Sequence, residues 1–115
     1  MQLFEDLVVS TDASIRDAMA VIERGSVEIA LVADGDHKLL ATVTDGDIRR
    51  ALLRGYPVDA PVTAAMNGNF VSVAATASER EALGLMEAGE IKSVPILDSC
   101  GRLLGLHVLH ALLQA

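Results

Sequence analysis

Ala13-Ser14-Ile15-Arg16-Asp17-Ala18 returns 64 residues later as Ala77-Ser78-Glu79-Arg80-Glu81-Ala82. Worked outward from these six residues, the chain matches itself without a gap, 9–51 onto 73–115, with 11 of 43 positions identical. The identities include Glu23/Glu87, Gly25/Gly89, Asp34/Asp98, Leu39/Leu103 and Leu40/Leu104. Conservative pairs such as Val32/Ile96 and Lys38/Arg102 fill the gaps between them. An alanine-rich composition does not place Ser, Gly, Asp and a Leu pair in one register by chance. The chain reads as one unit duplicated.

Each copy carries the same order of local signals. A short β-branched run, Leu7-Val8-Val9 and then Val71-Ser72-Val73, precedes a Ser with an acid three residues on (Ser14/Asp17, Ser78/Glu81). That spacing resembles a capping box at a helix start, with Asp in place of the usual Glu in the first copy. Ile15, Ala18, Met19 and Ile22 then fall on one helical face, as do Ala82, Leu83 and Met86 in the second copy. Gly25 and Gly89 stand where a helix would end. Two strand-like runs follow, 28–33 and 39–43, then 93–97 and 103–108, separated by the polar turns Asp34-Gly35-Asp36-His37 and Asp98-Ser99-Cys100-Gly101. A short helix closes each unit, at 47–53 and 109–113.

The expected fold class is therefore α+β (mixed α/β): two pseudo-twofold β-α-β-β-α repeats packed sheet to sheet as one module. A unit this small buries too little surface to stand alone, so two copies are needed for one core. The first repeat is placed at 1–55 and the second at 70–115. The stretch 56–69, with Pro57, Pro61, Gly68 and two Asn, is read as a linker holding at most one helical turn at 61–66. A crevice between the repeats is the default place for a ligand.

Composition narrows the function. With 9 basic against 16 acidic residues the net charge is −7, which argues against a nucleic-acid partner. The single Cys100 cannot form an intrachain disulfide. No secretory apolar segment opens the chain and no run is long enough for a membrane helix, so a cytoplasmic protein without a membrane partner is expected. Apolar residues reach 51% although aromatics are only 3%. The mean hydropathy of +0.41 is high for so small a chain, and implies apolar surface that a partner or second copy covers.

The chemistry-bearing segment is Ala41-Thr42-Val43-Thr44-Asp45-Gly46-Asp47-Ile48-Arg49-Arg50, joining a buried strand to a helix start. Thr44 and Asp47 stand three residues apart across that turn. Backbone N–H groups at a helix start favour an anion such as phosphate, and a carboxylate beside them can accept both hydroxyls of a ribose diol. The same residues have a plainer reading, in which Thr44 or Asp45 simply caps the helix. Spacing alone leaves both open.

These elements resemble the CBS domain, named after cystathionine β-synthase, over nearly the whole chain. The resemblance rests on the Ser14 and Ser78 helix starts, the strand Val94-Pro95-Ile96-Leu97-Asp98 with its turn, and the element from Ala41 to Asp47, with Ala where the family carries Gly. It is closest to the CBS pairs associated with sugar-phosphate nucleotidyltransferases, through the run Thr42 to Leu52, Met66-Asn67 and Gly101-Arg102-Leu103-Leu104-Gly105-Leu106. The family implies a regulatory module without chemistry of its own, binding an adenine nucleotide (AMP, ADP or ATP) between the repeats and controlling an attached or partner enzyme. Carried over by position, Asp47 holds the ribose and Thr44 lies by the phosphate or ribose. Val71, Lys92 and Ser93 contact the base, His110 stands where the family places a cation against the phosphates, and Arg49 and Arg50 are nearby cations that could replace or assist it.

The second copy departs from this pattern, because Thr44 and Asp47 correspond to Val108 and Ala111. The symmetry-related pocket would use Leu7, Glu28 and Ile29 for the base, with Glu28 negative where Lys92 is positive. Loss of a hydrogen bond to a charged group costs about 1.5–3 kcal/mol, so one competent site per chain is expected. The resemblance also implies a homodimer paired through the closing helices, with Ile48, Leu52, Leu53, Leu109, Leu112 and Leu113 at the interface. The alternative is a dimerisation scaffold that binds no ligand.

The remaining candidates read as structural. Asp34, Asp36, Asp45 and Asp47 lack EF-hand spacing, and His37, His107 and His110 lack a ligand partner at useful spacing, so no metal is expected. No cofactor is expected. Cys100 sits in a polar turn with no basic neighbour to activate it. Nothing in the sequence pairs a nucleophile with a base held by a third group, and no enzyme is expected.

Overall fold

The computed structural model describes residues 4–25 and 27–114. Residues 1–3 of the first repeat and Ala115, the last position of the repeat alignment, lie outside them. The chain divides into two compact units, Met1–Phe70 and Val71–Ala115.

In the first unit a 3-10 turn at Phe4–Leu7 leads into β1 (Val8–Val9), followed by α1 (Ile15–Arg24), β2 (Ile29–Ala33), β3 (Leu39–Thr44) and α2 (Asp45–Leu53). The second unit repeats the order as β4 (Val73–Ala74), α3 (Glu79–Gly89), β5 (Ser93–Leu97), β6 (Leu103–Val108) and α4 (Leu109–Leu113). Each unit has one three-stranded sheet, in the orders β1-β2-β3 and β4-β5-β6, with the first pair parallel and the second antiparallel. This is the mixed α+β class. The duplication reaches single residue pairs: Val9 opposite Val32 becomes Val73 opposite Ile96, and the register slips at Val32/Ala33 and again at Ile96/Leu97.

The turns repeat too. Asp34 Oδ1 accepts from the backbone N–H of Asp36 (2.9 Å) and Lys38 (3.1 Å). Asp98 Oδ1 does the same for Cys100 and Arg102, both at 2.8 Å. Positive φ falls at the matching fourth positions, His37 (65°) and Gly101 (84°). A short side chain that accepts from its own following backbone holds a hairpin turn without help from the core.

Helix α1 starts as its sequence requires. Ser14 Oγ accepts from Asp17 N at 3.0 Å and Asp17 Oδ2 accepts from Ser14 N at 2.9 Å, a complete capping box. Its buried face is Ile15, Ala18, Val21 and Ile22. Met19, expected on that face, is exposed, and Val21 takes the inward place. In the second unit Ser78 accepts from Glu81 N at 3.1 Å, and Ala82 and Met86 are buried while Leu83 is half-buried.

The two glycines at the helix ends do different work from the left-handed caps they suggest. Gly25 does cap α1, but with φ −85°; a Cβ there would stand 2.7 Å from Leu7 Cδ2, so the close approach of Leu7 is what excludes a side chain. Gly89 is still helical, and the left-handed residue that ends α3 is Glu90, with φ 54°.

The segment read as a linker is hydrogen-bonded to the first unit. The first N–H groups of a helix have no partner within it. Here Ile15 N donates to Ala60 O (2.9 Å), Arg16 N to Val58 O (2.8 Å), and Val62 N returns to Ala13 O (2.8 Å). Further on, Thr42 and Asn67 exchange both backbone bonds, at 3.0 and 2.8 Å. Arg16 pairs with Asp59 at 3.1 Å, and Arg54 Nη2 donates to Ala64 O at 3.1 Å. Val62 is fully buried and Ala60 and Ala65 nearly so, with a single 3-10 turn at Val62–Ala64.

The first unit is the better filled. All five residues of β2 are buried, and β3 buries Leu39, Ala41, Thr42 and Val43. In the second unit β6 buries only Leu103, and α4 buries no residue.

Candidate functional site

The Thr44–Asp47 pair sits where β3 runs into α2. Thr44 closes the sheet opposite Ile29 and at the same time is the N-cap of α2. Its extended backbone (φ −117°, ψ 171°) turns the chain from strand to helix. Asp47 Oδ2 accepts from Thr44 N at 2.9 Å and from Thr44 Oγ1 at 3.0 Å, while Asp47 N approaches Thr44 Oγ1 at 3.4 Å. The helix thus begins at Asp45 and not at 47, because the cap at Thr44 brings Asp45 and Gly46 into its first turn. The capping reading of these residues is correct as local structure. It leaves Asp47 Oδ1 to other partners.

Oδ1 accepts from Arg50 Nη2 at 2.8 Å. The Asp47 side chain is 13% exposed and that of Arg50 58% exposed. The carboxylate is fixed and nearly covered, whereas the guanidinium lies mostly in solvent. Sequence spacing names Arg50 only as a nearby cation, although an acid and a base three apart on a helix are neighbours. Arg49 is exposed on the same helix.

The matching junction of the second unit lacks this equipment. Val108 stands at the N-cap of α4 without a side-chain hydrogen bond. Leu109 N donates to Lys92 O at 2.8 Å, which ties the start of α4 to the start of β5. This brings Lys92, Ser93 and His110 to one end of the second sheet, with Ser93 paired to Val108 and buried. Lys92 and His110 are exposed, and Val71 is 37% exposed just before β4. His110 Nε2 is 3.1 Å from Gln114 Nε2. Of the expected ligand residues, Thr44, Asp47, Arg49 and Arg50 therefore belong to the first unit, and Val71, Lys92, Ser93 and His110 to the second.

A shallow cavity of about 450 Å³ lies elsewhere in the first unit, between β1 and α1, lined by Ser10, Asp12, Asp17 and Arg24 among others. None of the expected ligand residues lines it. Among the described residues no group of three or more His, Cys, Asp or Glu could hold a metal ion. No described helix is long and apolar enough to cross a membrane. Cys100 is exposed.

The leucines of the closing helices divide. Leu53 is 79% and Leu113 69% exposed, Leu52 is exposed, and Leu109 and Leu112 are half-buried. Ile48, expected on the same face, is only 4% exposed and joins Ala51 in the core of the first unit. With one side of α2 packed inward at i and i+3, Ile48 has no surface to offer a partner.

Comparison with known proteins agrees with this architecture. The arabinose 5-phosphate isomerase GutQ of Salmonella typhi is 33% identical over 92 residues, covering 80% of this chain and 29% of that protein. The arabinose 5-phosphate isomerase KdsD of Yersinia pestis is 32% identical over 108 residues, covering 93% of this chain and 33% of that protein. The chain thus spans about a third of the length of these curated relatives. These relatives are sugar-phosphate isomerases and not nucleotidyltransferases, so they give no support to the finer kinship with nucleotidyltransferase-associated pairs. A CBS domain protein from Pyrobaculum aerophilum, solved in complex with AMP, superposes with a TM-score of 0.80 at 21% identity, covering 99% of this chain and 96% of that one. The CBS domain model matches the chain twice, at residues 5–54 and again at 62–106. A duplicated β-α-β-β-α unit that meets the same family model twice belongs to the CBS domain family, whose paired copies form a regulatory module rather than an enzyme.

Proposed function

We propose that this CBS pair senses an adenine nucleotide and through it regulates an attached or partner sugar-phosphate isomerase in the cytoplasm. Asp47 accepts the ribose hydroxyls and Thr44 orients it. Val71, Lys92 and Ser93 serve the base, and Arg49 and His110 the phosphates. The observation that most supports this reading is the asymmetry between the two strand–helix junctions. One carries a nearly covered carboxylate held in place by a capping threonine, while the other carries Val108 and Ala111 at those positions. The AMP bound to the Pyrobaculum aerophilum protein and the isomerase names of the relatives support the ligand class and the regulated chemistry.

Regulation requires that the ligand bind two arrangements of the module with different affinity. A ligand that binds the folded chain raises its melting temperature by mass action. Calorimetric melts of the chain with AMP, ADP and ATP should therefore shift upward, and Asp47→Ala should abolish the shift. Equal shifts in wild type and variant would remove Asp47 from the site.

A second reading, a dimerisation scaffold that binds no ligand, is favoured by the exposure of Leu53 and Leu113. A homodimer through Leu52, Leu53, Leu109, Leu112 and Leu113 is compatible with either function. Light scattering that finds a dimer whose melting is indifferent to every nucleotide would select the scaffold.

A further inference from the structure

We propose that Arg50 competes inside the chain for the oxygen of Asp47 that a ribose needs, and so makes the site select phosphorylated nucleosides over bare ones. The inference rests on the nucleotide reading above and deepens it. A carboxylate oxygen has two lone-pair positions. Oδ2 of Asp47 already accepts two hydrogen bonds from Thr44, at 2.9 and 3.0 Å. A vicinal diol presents two hydroxyls and needs two acceptor positions. Only Oδ1 has two, and Arg50 Nη2 holds one of them at 2.8 Å.

Arg50 is the partner that can move. Its side chain is 58% exposed against 13% for Asp47, which the cap fixes. The guanidinium lies back across the first turn of α2, over Gly46, where a Cβ would come within 3.2 Å of Nη1. Gly46 thus leaves room for the closed position of the arginine. When a diol takes Oδ1, the guanidinium loses its anion. A nucleoside offers nothing in exchange, whereas a phosphate accepts the guanidinium through two parallel hydrogen bonds. Binding of a nucleotide becomes an exchange of partners: the diol takes Asp47 as Arg50 moves from Asp47 to phosphate.

The test is calorimetric titration of adenosine and of AMP into wild type, Arg50→Ala and Arg50→Lys. Removing Arg50 frees Oδ1, so adenosine should bind about 2- to 5-fold more tightly, the worth of a half-exposed ion pair. AMP should bind roughly 10-fold more weakly, because a charge-assisted bond to phosphate is lost. Arg50→Lys, which keeps the charge without the fork, should fall between on AMP. Adenosine affinity that stays unchanged or falls in Arg50→Ala would overturn the competition while leaving the nucleotide reading in place. Failure of wild type to bind either ligand would instead remove the nucleotide reading and this inference with it.

Discussion

Replacing Asp47 by alanine does two things at once, and a matched substitution in α1 separates them. Asp47 accepts two hydrogen bonds from Thr44 and one from Arg50. Its removal leaves Thr44 N, at a half-buried strand end, without its partner and breaks the reciprocal half of the capping box of α2, while Thr44 Oγ1 keeps the backbone N–H of residue 47. Leaving a half-buried donor without its acceptor costs about 1–2 kcal/mol. The exposed arginine adds little. Asp17 closes an equivalent box with Ser14 at 2.9 and 3.0 Å, but in a more exposed setting. Asp17→Ala should therefore cost about 0.5–1 kcal/mol. At about 4–8 °C per kcal/mol for a unit of this size, melting should fall by about 4–16 °C in Asp47→Ala and about 2–8 °C in Asp17→Ala. Scanning calorimetry with and without AMP reads both effects. Both variants should melt early without ligand, and only Asp17→Ala should still be stabilised by AMP. A ligand-free Asp47→Ala as stable as wild type would refute the capping account. An Asp17→Ala that no longer responds to AMP would show that general destabilisation, not the Asp47 carboxylate, removes binding.

Three further outcomes follow from particular positions. The backbone N–H of Arg102, and with it those of Cys100 and Gly101 and the Arg102 charge, hold the Asp98 carboxyl below its ordinary 3.8 against the opposing effect of desolvation. A carboxyl whose folded value is depressed contributes stability above its unfolded value and loses it as pH falls through the folded one. NMR titration should place the Asp98 midpoint below 3.8, and the destabilisation by Asp98→Ala should be present at neutral pH and vanish below that midpoint. Val62→Ala should cost about 2 kcal/mol in urea denaturation, since two methyl groups leave a site with no exposed surface; a negligible cost would mean that residues 56–70 are a tether and not part of the first unit. Glu90→Gly should stabilise the chain by about 1 kcal/mol, because only glycine adopts φ near 54° without a Cβ penalty.

The parts of this fold that were legible in the sequence are those set by local chemistry and repeated twice. Ser14/Asp17 and Ser78/Glu81 marked the helix starts because a cap is read from residues three apart. The bounds of β5, β6 and α4 follow from hydrophobic runs punctuated by Asp98 and Gly101. What local patterns missed is set by tertiary contact. Pro57, Pro61 and Asn67 look like linker residues, yet their neighbourhood supplies the carbonyls that the first turn of α1 lacks, a need visible only once the helix start and the segment are brought together. Met19 and Val21 exchanged places because a ten-residue helix turns its apolar stripe toward whatever covers it. By propensity alone Gly89 suits a left-handed cap better than Glu90, but the cap of α3 falls one residue later, on Glu90.

At the candidate site, Thr44 and Asp47 could be named but not assigned from the sequence. A helix cap and a ribose acceptor use the same carboxylate at the same spacing, and only the hydrogen bonds divide its two oxygens between the tasks. Ile48 shows the converse case. Its apolar character fits a dimer face as well as a core, and packing alone decides for the core. Of the exposed large apolar side chains that go with the high mean hydropathy, Leu53 and Leu113 are the most exposed among the described residues.

The most direct test of the central claim is the stoichiometry of AMP binding by isothermal calorimetry at saturating nucleotide. The account predicts one AMP per chain in wild type and none in Asp47→Ala, because only the first unit has an acid and a hydroxyl at its strand–helix junction. Two AMP per chain, or one that persists in Asp47→Ala, would contradict it.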